Sequence, residues 1–380
     1  VDKTPYTRFR HAVNLPLAVW TIALLIYGSV MVSSATTGMG SGMLRRQLIG
    51  IAVGMVPLAF AWMMDYKVLK HWTGPLLVAL SLLLISPRIP GLGYEAGGAT
   101  SWLALFGVRL FQPSEPAKLI FIAVMAAVIS HYKGRIDKSG DVLRVLSYLA
   151  LAMVLILLQP DLGTGLVFVA ITAGMLLVGG LKPRWFVVFG IIAALSIGGI
   201  LVLDTALDEM AGSDVALKDY QKDRLLVFID NERDPHGAGY NLAQSKIAVG
   251  SGGISGKGLA AGTQSNLHFL PERHTDFIFA VLGEELGFTG AVLLLGLYLA
   301  LLISALAIST SSRDLYGALI CAGIISMWAF QILENIGMTI GMMPITGIPL
   351  PFMSFGSSAM VTNLGAVGML LSVWSRRYGT

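Results

Sequence analysis

The chain has 380 residues, 55% of them hydrophobic and only 13% charged, with a formal net charge of +4 and a mean hydropathy of +0.74. A soluble domain carries roughly a quarter of its residues as charges, so a water-soluble globular protein is excluded and an integral membrane protein is indicated. The single Cys321 supports no disulfide framework, and the slight basic excess follows a membrane pattern rather than a nucleic-acid footprint.

A spanning helix takes about 20 mainly apolar residues. Ten segments qualify, centred on Leu25, Met55, Leu80, Ala123, Leu151, Ala170, Ile192, Leu293, Met327 and Val367. The first is too long for a secretory signal and lacks an A-x-A cleavage site, so it reads as a span. The fifth is short and ends at Pro160, where the sixth begins. The segments near Leu293 and Met327 are long enough to tilt or to project into water. Trp20, Trp72, Trp185, Trp374 and Tyr378 near segment ends suit an interfacial belt. The expected fold is an all-α polytopic membrane protein of about ten transmembrane helices, one transmembrane domain over residues 1–380.

Lys and Arg in short loops set orientation. With both termini on one side, that side collects fourteen, from Lys3 and Arg8 through Lys67, Lys133 and Arg313 to Arg377. The opposite short loops hold four: Arg45, Arg46, Arg88 and Arg109. Both termini are therefore expected in the cytoplasm, with a large loop over residues 204–275 outside.

Charges inside spans are costly and tend to mark function or pairing. QPSEPAK at 112–118 opens the fourth span with Glu115 and Lys118, whose spacing of three puts them on one helix face. QPDLGT at 159–164 places Asp161 at the start of the sixth. Under this topology Lys118 and Asp161 share the external leaflet, close enough for an ion pair. They read either as a register-fixing pair or as the wall of a polar cavity. The small residues of GLVFVAITAGMLLVGG at 165–180, Gly174 among them, suit packing against a partner helix or against this chain itself.

A connection of about 70 residues is usually functional or disordered. The external loop argues for order, because LVFID at 225–229 and NLAQSKIAVGSGG at 241–253 carry apolar residues at helix or strand spacing. SGGISGKG at 251–258 is similar to a phosphate cradle, but the strand–GxxxxGK[ST]–helix context is missing, so a plain turn is the competing reading. Arg224, Lys246, Lys257 and Arg273 make the loop a candidate anion surface, set against ten acidic and seven basic residues that also pair for solubility.

FLPERHTDFIFAVLGEELGF at 269–288 crowds Glu272, Arg273, His274 and Asp276 at the mouth of an apolar helix, with Glu284 and Glu285 about two turns further in. At that depth both cannot stay ionised without partners, so at least one is expected to accept hydrogen bonds or to have a raised pKa. An Asp after Thr at a helix start also fits an N-cap. In the ninth span Glu334 and Asn335 read mainly as packing between helices. His268, His236 and His131 read as loop residues.

The run GTQSNLHFLPERHTDFIFAVLGEELG, with GYNLAQSKIAVGSGG, FQPSEPAK, QPDLGT and the tail NIGMTIGMMPITGIPLPFMSFGSSA, closely resembles the SEDS family of polytopic cell-wall proteins. The blocks cover most of the chain. QSKIA, GKG and the Arg of PERHTDF look like the RodA (elongation) branch rather than the FtsW (division) branch. One departure stands out: Ser354-Phe355-Gly356-Ser357 replaces the family's S-Y-G-G, which alters local backbone freedom.

The resemblance implies a peptidoglycan glycosyltransferase that polymerises lipid II outside the cytoplasmic membrane and shapes the elongating cell. An acceptor 4-hydroxyl attacks the anomeric carbon of an undecaprenyl-pyrophosphate donor, which calls for a general base in a partly desolvated site. In the family the Asp of HTDF is that residue, here Asp276. The leaving pyrophosphate needs cationic or backbone stabilisation, or a divalent ion such as Mg or Mn. Arg273 is the nearest phosphate ligand. His274 is a candidate for orienting substrate, with no second His at ligand spacing. Lys118, Glu115 and Asp161 are expected to line the cavity beneath. One base without a paired nucleophile favours inversion and β-1,4 linkage. The implied partner is a class B penicillin-binding protein within an elongation complex. The rival readings are a lipid II flippase and a non-catalytic scaffold for such a partner.

Overall fold

The computed structural model describes residues 13–37, 42–96, 99–105, 108–136, 138–191, 227–228, 234, 237–267 and 269–378. The apolar runs become helices. α1 (Leu15–Ala35) starts at Asn14, whose side-chain oxygen accepts from the Leu17 amide, and α2 (Gly42–Met63) follows. Asp65 caps the short α3 (Tyr66–His71) in the same way, and α4 is Thr73–Ile85. α5 (Ser114–Ser130), α6 (Ser139–Leu157) and α7 (Leu162–Val178) come next, then a helical stretch α8 at 183–191. α9 (Ala238–Ser251) and the single turn α10 (Thr263–Asn266) precede α11 (Ile278–Thr310), α12 (Leu315–Thr339) and α13 (Ser357–Ser375).

Nine of the ten expected centres fall in these helices, and Ile192 lies outside the described residues. By length and composition α1, α2, α6, α11, α12 and α13 qualify as membrane spans among the described residues, and Thr73–Arg88 and Leu162–Val178 are shorter apolar helices. Val56 and Phe60 on α2, Leu143 on α6 and Leu299 on α11 face outward, an exterior that lipid tolerates and water does not.

The all-α expectation needs one correction. Between α4 and α5, strands β1 (Gly93–Ala96), β2 (Ala99–Leu105) and β3 (Val108–Phe111) form an antiparallel sheet in the order β1-β2-β3. Leu103 pairs with Gly93 on one side and with Phe111 on the other. These short strands do not alternate polar with apolar residues, β2 reading ATSWLAL, so periodicity does not separate them from a loop.

α5, α12 and α13 hold the centre, with nearly every α5 residue from Ala117 to Ile129 buried. A Cβ on Gly174 would lie 1.7 Å from the Ser326 hydroxyl oxygen. The small-residue face of α7 therefore packs against α12, and Gly174 is no partner surface. One end of the bundle gathers the α2–α3 turn, the start of α12 and the end of α13: Tyr66 donates to Asp314 at 2.8 Å, and Arg376 lies 3.7 Å from Asp65. The other end carries α9, the turn before α11 and the segment 340–356.

Candidate active site

The charged stretch before α11 is a tight turn. Glu272 takes a left-handed φ of 50°, and its carbonyl accepts from the Thr275 and Phe277 amides at 3.1 and 3.3 Å. The Thr275 hydroxyl donates to the Glu272 carboxylate at 2.9 Å. The N-cap position of α11 falls on Phe277, which has no capping side chain. Asp276 thus stands one residue outside the cap, half-buried at the positive end of the helix.

Three consecutive carbonyls of this turn are held by groups distant in sequence, two from the connection before α13 and one from α12. The Phe355 amide donates to His274 O at 2.9 Å. The Ser354 hydroxyl donates to Thr275 O at 2.6 Å, and the Asn335 carboxamide donates to Asp276 O at 2.9 Å. Asn335 spends its second hydrogen on Ile348 O at 2.8 Å, and Ser354 accepts from the Leu350 amide at 2.8 Å. The Phe355 ring lies 5.5 Å from the His274 ring. Asn335 and Ser354 were not among the site residues read from sequence. A carboxamide in an apolar span and the SFGS tail were the only signals. Ser357 takes the first position of α13, exposed and without a positive φ, so the missing family glycine leaves no strain.

Arg273 points inward, 1% exposed. Its Nη2 lies 3.4 Å from the Thr37 carbonyl, while Nε and Nη1 are buried with no hydrogen-bond partner. Burial pulls the guanidinium pKa below its usual value, and Glu285 opposes that shift. Burial also lowers the His274 imidazole, with Glu272 opposing and Arg273 reinforcing. Glu285 accepts from the Ser34 hydroxyl, which itself accepts from the Ala260 amide at 2.9 Å. Ser34 and Thr37 also border an apolar groove of about 680 Å³ between α1 and α2, lined further by Ile22, Ile26, Leu48 and Leu259.

The glycine-rich stretch is no anion cradle, because two of its amides are already committed. Lys257 N donates to Glu284 O at 3.0 Å and Gly258 N to Glu285 O at 2.9 Å. It packs onto a break in α11 at Gly287, where φ is 63° and ψ −158°. That conformation belongs almost solely to glycine, and a Cβ there would lie 2.4 Å from the Gly256 nitrogen. The Lys257 ammonium lies 2.7 Å from Glu284 Oε1, which also accepts from Thr263 N (2.7 Å), Thr263 Oγ1 (2.9 Å) and Gln264 N (3.0 Å). Glu284 is therefore well supplied with donors, whereas Glu285 has the Ser34 hydroxyl on one oxygen and its Oε1 is buried without a hydrogen-bond partner.

Lys118 pairs with Glu115 of its own helix at 2.8 Å, both buried. Asp161 instead caps α7, accepting from the Thr164 amide at 3.0 Å and hydroxyl at 2.8 Å, with Gln112 Nε2 at 3.4 Å. The Gln112 amide donates to Ser358 Oγ at 3.1 Å, so this cluster and the 272–276 turn both adjoin the segment that ends in SFGS. Lys246 is exposed on α9, its side chain alongside Gly341. Arg224, His236 and His268 lie outside the described residues. Among the described residues no three His, Cys, Asp or Glu side chains converge as a metal site.

A family model described as "Cell cycle protein", for FtsW, RodA and SpoVE, matches residues 13–378. The chain is 36% identical to the peptidoglycan glycosyltransferase MrdB of Escherichia coli K12, covering 94% of this chain and 92% of that one. It is 37% identical to stage V sporulation protein E of Bacillus subtilis, covering 95% and 96%. Among solved structures, a chain from a peptidoglycan synthase complex described as coordinating polymerization and crosslinking superposes with a TM-score of 0.79. The two are 31% identical, and the match covers 97% of this chain and 99% of that one.

Proposed function

The chain belongs to the FtsW, RodA and SpoVE (SEDS) family, and from that premise we propose that it is a peptidoglycan glycosyltransferase whose general base is Asp276. The observation that carries the residue assignment is the turn itself. A half-buried carboxylate stands at a helix N-terminus, on a backbone clamped at three successive carbonyls, beside a fully buried arginine with two unpartnered nitrogens.

In this reading lipid II binds with its headgroup at the turn, on the extracytoplasmic side. Asp276 takes the proton of the acceptor 4-hydroxyl as O4 bonds to the donor anomeric carbon. The bond from that carbon to the pyrophosphate oxygen breaks on the opposite face, giving a β-1,4 linkage and undecaprenyl pyrophosphate. Arg273 supplies charge-assisted hydrogen bonds to the leaving phosphates. Lys118, paired with Glu115, lines the same cavity, and the α1–α2 groove takes lipid chain. Lys246 edges the mouth, and His274, its pKa lowered by burial, orients a sugar. Lys257 is spent on Glu284. A divalent ion such as Mg or Mn, held by one or two carboxylates together with the pyrophosphate itself, would add to the neutralisation of the leaving group.

QSKIA, GKG and Arg273 favour an elongation role, and the likeness to a chain of a synthase complex supports a class B penicillin-binding protein as partner. The test is polymer formation from purified lipid II in detergent. Asp276→Ala is expected to abolish polymer while lipid II still binds. Polymer made at the unaltered rate removes the assignment. Loss of lipid II transbilayer movement in liposomes, with polymerisation intact, favours a transporter instead.

A further inference from the structure

We propose that Asn335 is a positioning residue for Asp276, an inference that rests on the reading of Asp276 as the base. Asn335 is fully buried in α12, directly after the buried Glu334 and one turn from the buried Gln331 and Thr339. Its side-chain nitrogen donates to two backbone carbonyls on different segments, Asp276 O at 2.9 Å and Ile348 O at 2.8 Å. Both amide hydrogens are used. A single carboxamide therefore ties the catalytic turn to the segment that leads into SFGS, and that segment returns two further bonds to the turn through Ser354 and Phe355.

The bond to Asp276 is the one made by a rigid element. Ser354 and Phe355 lie in the connection between α12 and α13, whereas Asn335 sits in a 25-residue helix, a turn from its C-terminal end. The backbone of Asp276 is thereby referenced to the core of the bundle and not only to a neighbouring loop. The side chain that takes the proton hangs from that backbone, so a shift of the carbonyl moves the carboxylate with it. A supporting group that locks geometry in this way acts on the chemical step more than on binding. Sequence pattern alone gives Asn335 a packing role; the two bonds give it a direction.

The experiment compares kcat and KM for lipid II in four purified variants. Asn335→Ala removes both donors, Asn335→Gln restores a carboxamide on a longer stem, and Asp276→Asn removes the base. Thr339→Val deletes a buried hydroxyl one turn away, whose bond at 2.7 Å is to Asn335 O and not to the turn. Asn335→Ala is expected to lose about tenfold to a hundredfold in kcat with KM within about twofold. Asn335→Gln should fall between that variant and the unaltered enzyme, and Thr339→Val should keep full kcat. Unchanged kcat in Asn335→Ala, a Gln variant no better than Ala, or an equal loss in Thr339→Val each overturns the proposal. Should the Ala variant not purify, a lowered kcat at constant KM in Asn335→Gln upholds it and an unaltered kcat overturns it. Asp276→Asn separates the two claims. Retained polymerisation there removes the base itself, whereas an inactive Asp276→Asn beside a fully active Asn335→Ala removes only the positioning role.

Discussion

Lys257→Met is expected to loosen the glycine-rich loop without unfolding the bundle. The substitution keeps most of the aliphatic stem and deletes the ammonium 2.7 Å from Glu284 Oε1. Glu284 is fully buried, and three neutral donors from Thr263 and Gln264 remain on it. Breaking a buried pair costs about 3–5 kcal/mol, and one hydrogen bond to a charged group contributes about 1.5–3 kcal/mol. Lys257 is 27% exposed, so water screens part of the loss. The remaining donors carry more of the charge, which leaves a cost of about 2 kcal/mol, or roughly thirtyfold in a local opening equilibrium. Hydrogen exchange read by mass spectrometry is the suitable assay. Peptides spanning 252–264 should exchange about thirtyfold faster, while α12 and α13 are unchanged. In a Glu284→Gln background, where no buried charge is stranded, Lys257→Met should have little further effect. Unaltered exchange in the single variant, or equal acceleration in both backgrounds, refutes the role of the pair as a latch.

Arg273→Met should uncouple stability from function. It removes two buried, unpartnered nitrogens, so the apparent unfolding midpoint holds or rises while affinity for lipid II drops by about tenfold or more; a large fall in the midpoint would instead make Arg273 structural. His274 gives a pH signature. Its folded pKa is depressed below 6.5 by burial, so below about pH 6.5 the unfolded chain binds more protons than the folded one and stability falls as pH drops. His274→Gln should flatten that slope in a stability measurement from pH 7.5 to 5.5, and a slope identical to that of the unaltered protein contradicts the shift.

The helices were legible because each apolar run is long and nearly free of charge, and the 272–276 turn because four ionisable groups in five positions do not occur there by chance. The clamp around that turn was not. Asn335 and Ser354 reach back 59 and 79 residues to their carbonyl partners, and no local periodicity records a bond of that span. Lys118 shows a different limit. Two carboxylates were in reach, and the i,i+3 partner within the same helix took it while Asp161 was engaged as a cap. The glycines of 251–258 pointed to close backbone approach, and that is what they provide, although the approaching groups are protein carbonyls and not phosphate.

The break at Gly287 also acts as a ruler. Unbroken, the 33 residues of α11 would run about 50 Å at 1.5 Å per residue, well beyond a hydrocarbon core of about 30 Å. Counted from the break, Phe288 to Thr310 covers about 35 Å, close to one membrane thickness. The piece from Ile278 to Leu286 is then surplus to a single span, a pedestal with Glu284 and Glu285 among polar neighbours and Asp276 just beyond its first residue. The glycine thus fixes how far Asp276 stands from the membrane-length part of the helix.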